Sequence, residues 1–320
     1  RSAREVRPMI ATGTSAANAE AMMSAQNVQG RSLWVDARRR LFRNKAALVS
    51  MIILALITLA AIFLPLIWPY GYEDIDYALV SCAPDWWPDP DVMCHSGGMH
   101  WFGSDSVGRD LFVRVLYGAR VSLAVGLVAT FVSLVIGVTY GATAGFLGGM
   151  IDNLMMRVVD ILYSLPFIFF VIILMVIFEQ SFILLFVAIG AVEWLTMARI
   201  VRGQTLSIKE KEFIEAARAG GVTQGGIIAR HIVPNVVGPV IVYVTLTIPS
   251  VILSESFLSF LGLGVREPLT SWGVLIADGA NQLETAPWML IFPAFFMAVT
   301  LFCFNFIGDG LRDALDPKDR

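Results

Sequence analysis

AALVSMIILALITLAAIFLPLIWPYGY, residues 46–72, contains no Asp, Glu, Lys or Arg. A bilayer core about 30 Å thick is crossed by about 20 apolar residues in a helix, the form that satisfies every peptide group where water is absent. Four more windows share the property: Val121–Ile151, Ile161–Phe178, Val236–Ser254 and Ala286–Gly308. They set the composition of the whole, with 57% of the 320 residues hydrophobic, 15% charged and a mean hydropathy of +0.71. A soluble domain carries about 25% charged residues. The pattern excludes a soluble enzyme, a nucleic-acid binder and a disordered scaffold. This is an integral membrane protein.

Working outward from those windows gives six spans: Ala46–Trp68, Ala119–Gly145, Val158–Phe178, Phe182–Ala198, Val236–Phe257 and Ala286–Gly308. Pro65 should end or kink the first, Pro166 lies in the third, and Pro239 and Pro249 lie in the fifth. Arg199–Arg218 holds eight charges in 20 residues. Burying them would cost roughly 20–28 kcal/mol, so the segment lies in water. With the N-terminus inside, sixteen Lys and Arg residues of the loops and ends face the cytoplasm. Four (Arg109, Arg114, Arg120 and Arg266) face out. That bias puts both termini inside. Three of the four crowd before span two, and GRDLFVRVLYGARVSL (108–123) reads as an interfacial helix on the outer face. Residues 1–30 read as a disordered tail, 31–45 as an amphipathic helix on the anionic inner surface, and 69–118 as an exported loop. The core spans 119–308, with a charged loop at 199–235, and 309–320 form a cytoplasmic tail.

The small totals exclude more. Net charge is −3, and none of the four lysines (Lys45, Lys209, Lys211 and Lys318) follows a glycine. A phosphate-cradling loop needs a Gly-Lys-Ser/Thr step, so the chain is no P-loop ATPase. Three cysteines and three histidines lack metal-ligand spacing, and neither a metal centre nor a catalytic constellation is expected. Cys82 and Cys94 share the exported loop, where a disulfide between them would add about 3 kcal/mol. Two free thiols, or a weak metal site with His95 and His100, are the alternatives. Cys303, in span six, reads as a small packing residue.

Gly137, Gly141, Gly145 and Gly149 recur at every fourth position. That strips one helix face and lets another helix approach closely, in this chain or a partner's; simple flexibility is the plainer reading. Acids near the membrane are few: Asp160, Glu193 and Glu255. An ion-driven transporter would place more ionisable groups at mid-bilayer, so Glu193 reads as a hydrogen bond between helices.

The densest signal is KEKEFIEAARAGGVTQGGIIARHIVPN (209–235). A helix over 209–219, with Lys211 and Glu215 as i,i+4 partners, meets Gly220 and Gly221; a second short helix over 224–232 is stopped by Pro234. Two short helices hinged by glycine form a protruding, alanine-faced knob suited to a cleft on a partner.

Glu215-Ala216-Ala217, then Gly221 and Pro234, resembles the EAA loop of ABC-importer permeases. His231 and Val233 stand where the general pattern has Ile and Leu, which matches the peptide-permease variant. FGSDSVGRDLFVRVLYGARVSL (102–123), GGMID (148–152), MRVVDILYSLP (156–166), SFLSFLGLG (256–264), SWG (271–273) and NFIGDGLRDALDPKDR (305–320) extend the resemblance to the oligopeptide/dipeptide transport permease family over about residues 31–320. It implies an all-α membrane protein of the type I ABC importer permease fold, with six transmembrane helices, in a bacterial inner membrane. It also implies that Glu215, Ala216, Ala217, Arg218, Gly220, Gly221, His231 and Pro234 couple to an ATPase. The implied partners are a sister permease, two cytoplasmic ATPase subunits that bind ATP and Mg, and a periplasmic peptide-binding protein. No cofactor is expected on this chain. The implied cargo is an oligopeptide, with dipeptides, glutathione or nickel complexes as alternatives. Outside the family, the rival classes are an ion-coupled secondary transporter and a membrane enzyme using the exported Asp/His/Cys loop.

Overall fold

The computed structural model describes residues 33–87, 99–178 and 182–315. The tail 1–30, Cys94 and residues 316–320 lie outside the described residues. Two helices open the chain, α1 (Leu33–Arg43) and α2 (Lys45–Ile67). Asn44 separates them and caps the second, its side-chain oxygen accepting from the Ala46 and Ala47 amides. α2 buries only a thin stripe of Ala47, Ser50, Ile57 and Ala61, while Ile52, Leu56, Leu59 and Phe63 are exposed. A helix apolar on all sides with one buried stripe is a helix facing lipid.

The second long helix, α3 (Leu111–Leu147), is the centre of the bundle. Its 37 residues run unbroken. At 1.5 Å per residue they span roughly 55 Å, well beyond one bilayer core. The segment 108–123 is therefore not a separate interfacial helix: its residues from Leu111 onward are the first turns of α3. The Asp110 carboxylate starts that helix by accepting from the Val113 amide at 2.9 Å.

After α3 come α4 (Gly149–Ser164), α5 (Phe167–Phe178) and α6 (Phe182–Ile208). The third expected span is broken: α4 and α5 are bent by 83°. Pro166 forces the residue before it out of the helical region, and Leu165 is extended at φ −75°, ψ 128°. Then follow α7 (Glu212–Ala219), α8 (Gln224–Phe260), α9 (Trp272–Asn281) and α10 (Trp288–Leu315). Among the described residues, four helices (α2, α3, α8 and α10) are long and apolar enough to cross a membrane, or five if the bent pair counts as one span. α6, 27 residues long, carries Glu193, Arg199 and Arg202 in its second half and is not among those helices.

The core has two ends. Near α7, Ala142, Phe146, Met197, Val201, Ile214, Ile227 and Ile232 pack together. At the opposite end, Leu111, Val115, Trp272 and Trp288 do so with Ala83, Trp87 and Phe102. Buried indole N–H groups fix that cap, Trp272 donating to the Val115 carbonyl and Trp288 to the Ser104 carbonyl.

Candidate functional site

The sequence from Lys211 to Asn235 builds one continuous feature. α7 begins at Glu212, and Lys211 stands just before it in extended backbone (φ −84°, ψ 144°). None of the ion pairs of the described residues joins Lys211 to Glu215, because Lys211 is not on the helix surface. α7 ends in a Schellman turn, with the Val222 amide donating to the Ala217 carbonyl at 3.1 Å and the Gly221 amide to Arg218 at 3.0 Å. Gly221 holds φ +77°, which glycine adopts without strain. The two glycines thus close a hydrogen-bonded corner and do not form a loose hinge.

Thr223 caps the next helix, its hydroxyl accepting from the Gly226 amide. Pro234 does not stop that helix. Its missing N–H would have served the Arg230 carbonyl, and the backbone widens to a π-helix over Ile228–Ile232 just before it. The Asn235 side chain donates to the His231 carbonyl at 2.6 Å. α8 therefore continues from the knob to Phe260 without a break.

Ile214 anchors α7. It is fully buried against α3 and α6, among Phe146, Met197 and Val201. The Arg218 guanidinium lies over the Phe146 ring at 5.1 Å. Glu215, Ala216 and Arg218 are exposed, and Ala217 is half-buried. The knob thus presents a small charged surface on a rigid seat. Neither Ile214 nor Phe146 was singled out in the sequence, although an apolar residue inside a charged loop is the signal that could have found the first.

The glycine stripe meets α6. A methyl group at Gly137 would lie 2.5 Å from Met197 Cβ, one at Gly141 would run into the Ala198 carbonyl oxygen, and one at Gly145 would lie 2.8 Å from Thr205 Cβ. Gly149 does not belong to this contact: nothing lies within 4 Å of it, and with φ +59° it forms the turn into α4. The helix ends at Leu147, two residues before Gly149. Next to that interface Arg202 of α6 grips Asp152 of α4 with two hydrogen bonds, Nε to Oδ1 at 2.5 Å and Nη2 to Oδ2 at 2.7 Å. Arg199 reaches Asp160 at 2.9 Å.

At the opposite end Asp105 binds Arg109 at 2.7 Å, and Arg109 reaches Glu267 at 2.9 Å. Burial works against the Arg109 charge, but its hydrogen bonds to Asp105 and Glu267 outweigh that and hold its pKa above the usual guanidinium value. His100 pairs with Asp110 at 2.7 Å, both buried. Cys82 is buried and disulfide-bonded, and Cys303 is a buried free thiol.

The two membrane glutamates differ. Glu255 is fully buried and accepts from Ser259 and Ser271, each at 2.7 Å, which ties α8 to the start of α9. No hydrogen bond or ion pair among the described residues holds Glu193, so the interhelical bond expected of it does not form.

Residues 133–320 match the binding-protein-dependent transport system inner membrane component family, and residues 32–84 match the N-terminal TM domain of oligopeptide transport permease C. The chain belongs to the binding-protein-dependent inner-membrane component family. Within this family it is 61% identical over 293 residues to the oligopeptide transport system permease protein OppC of Escherichia coli K12, covering 92% of this chain and 94% of that protein. It is 45% identical to OppC of Bacillus subtilis, covering 90% and 91%. Identity to the glutathione transport system permease protein GsiD of Escherichia coli O6:K15:H31 is 38%, over 91% and 92% of the two chains. A chain of the MetNI methionine ABC transporter, inward facing, superposes with a TM-score of 0.54 at 20% identity, over 64% of this chain and 96% of that one. That likeness shows the fold alone; the family match and the relatives make this chain an ABC-transporter permease and a multi-pass inner-membrane protein.

Proposed function

We propose that the chain is one of two unlike permease subunits of an ATP-driven oligopeptide importer, with six crossings and both termini cytoplasmic. The observation that carries this is the seating of α7: an exposed Glu215-Ala216 surface fixed through Ile214 to the ends of α3 and α6 and joined by a closed turn to α8. A partner ATPase that moved α7 would move a 37-residue helix with it. Two such ATPases, carrying the ATP and Mg sites, would close on each other and switch the path between outward and inward access. A periplasmic binding protein would deliver the peptide, and a sister permease would complete the path. The high identity to oligopeptide permeases supports that cargo above the dipeptide, glutathione or nickel-complex readings.

Affinity purification of the full chain from its native membrane tests this. A second permease, ATPase subunits and a peptide-binding protein should co-purify, and ATP hydrolysis should follow the assembly and be absent from the chain alone. A chain that catalyses peptide uptake alone, driven by a proton gradient, would contradict it.

A further inference from the structure

One face of α8 is left uncovered by the rest of the chain along much of its length. Tyr243 and Leu246 line a cavity of about 530 Å³ with Gln204 of α6 and Arg312 of α10. Ser250, Ser254 and Phe257 line a second, of about 370 Å³, beside Pro166 and Phe167. These α8 positions recur every three to four residues, so both cavities open along a single helix face. The face is apolar with a few hydroxyl, amide and charged groups, as small-molecule sites are.

Charges flank the larger cavity on two sides. Glu193 and Thr196 of α6 face Tyr243. Glu193 is seven residues from Ile200, which lines the larger cavity, and therefore shares its face of α6. A carboxylate without a donor in a membrane helix is costly unless a cation comes to it. On the other side Arg312 is exposed at the cavity and takes part in none of the ion pairs of the described residues. From Glu193 to Gln204, which lines the larger cavity together with Arg312, is eleven residues of helix, about 16 Å. An extended peptide of four or five residues covers about that length at roughly 3.3–3.6 Å per residue.

We infer that Glu193 receives the N-terminal ammonium of a peptide in transit and Arg312 its C-terminal carboxylate, with Tyr243 and Gln204 pairing with the backbone between them. The inference rests on the importer reading above and names a subsite of its path. Backbone and terminal charges are what peptides of differing sequence share, so such a subsite would be blind to side chains.

The test uses the complete importer in proteoliposomes with its own binding protein, taking up labelled tetra-alanine, its N-acetyl form and its C-amide. Any preference of the binding protein is the same for every permease variant and cancels in the comparison. Glu193→Gln should lower uptake of the free peptide about tenfold, the cost of one charge-assisted hydrogen bond, and leave the N-acetyl form unchanged. Arg312→Gln should do the same for the free acid against the amide. Ratios of free to blocked peptide equal to wild type in both variants would overturn the inference while leaving the importer reading intact. Should Glu193→Gln fail to co-purify with its partners, the Arg312→Gln ratio decides, since that side chain is exposed. A wild-type assembly that takes up none of the three peptides would overturn the importer reading itself, and this subsite with it.

Discussion

Arg120 donates from Nε to the carbonyl of Ala61 at 2.5 Å and from Nη2 to that of Ile62 at 2.9 Å. Pro65 has no N–H, so the Ala61 carbonyl four residues before it lacks its helical partner. An arginine of α3 supplies the donor to α2, and its guanidinium also lies over the Tyr117 ring at 4.4 Å. The arginines that crowd the outer side against the charge rule therefore serve structure: Arg120 repairs a proline, and Arg109 sits in an ion-paired cluster with Asp105 and Glu267.

Arg120→Ala should lower stability by about 1–3 kcal/mol, the cost of a buried carbonyl left without a donor. The loss should shrink when Pro65→Ala restores a donor within α2. Thermal unfolding of both single variants and the double variant in detergent checks this. Equal losses in both backgrounds would separate Arg120 from the proline.

Gly141→Ala should separate α3 from α6, because its methyl group would meet the Ala198 backbone. Overpacking of that kind costs about 1–3 kcal/mol. Gly149→Ala meets no atom but must hold φ +59°, a penalty of about 1–2 kcal/mol. Gly141→Leu extends the clash and Gly149→Asn relieves the strain, so the two sites should respond in opposite directions. Yields of monodisperse protein after detergent extraction report the difference.

Arg202→Lys keeps the charge opposite Asp152 and loses the two-pronged contact. It should cost about 1 kcal/mol or more. Asp152→Ala combined with Arg202→Ala should be no worse than either alone, since each single change already removes the whole contact. A double variant whose loss is the sum of the singles would show that the fork is not what holds α4 to α6.

Asp278 lies on α9, outside the membrane spans, and burial raises its carboxyl pKa, partly opposed by Arg114. A raised folded-state value means the native state holds its proton longer than the unfolded chain. Its contribution is therefore favourable below the unfolded value of 3.8 and is lost as pH rises through the folded value. Asp278→Asn should remove that downward slope and leave the protein more stable at neutral pH. Melting curves of both proteins across the acid range test the sign.

Much of this molecule was legible because the bilayer allows little else. Charge-free windows have to be helices, and the glycine register points to a close helix contact without naming α6 as the neighbour. What escaped was set by partners far apart in sequence. Nothing near Arg120 announces Ala61, and nothing in a row of arginines reveals Asp105 or Glu267. Pro234 misled for a physical reason, since a π-turn absorbs the lost hydrogen bond and α8 runs on. Pro166 broke its helix as proline should. In the knob, the exposed motif is readable, and an apolar residue among charges hints at Ile214, but the partners that bury it, Phe146, Met197 and Val201, lie on other helices.

The most direct test of the account is ATP-driven uptake of a labelled oligopeptide by the assembled importer carrying Glu215→Arg or Gly221→Trp. Both positions are exposed; Glu215→Arg leaves the turn after α7 intact and the chain should insert and fold, whereas Gly221→Trp also strains the φ +77° corner that seats α7. Uptake should fall at least tenfold in both, while the permease still reaches the membrane at wild-type level. Wild-type uptake by the two variants would contradict coupling through α7.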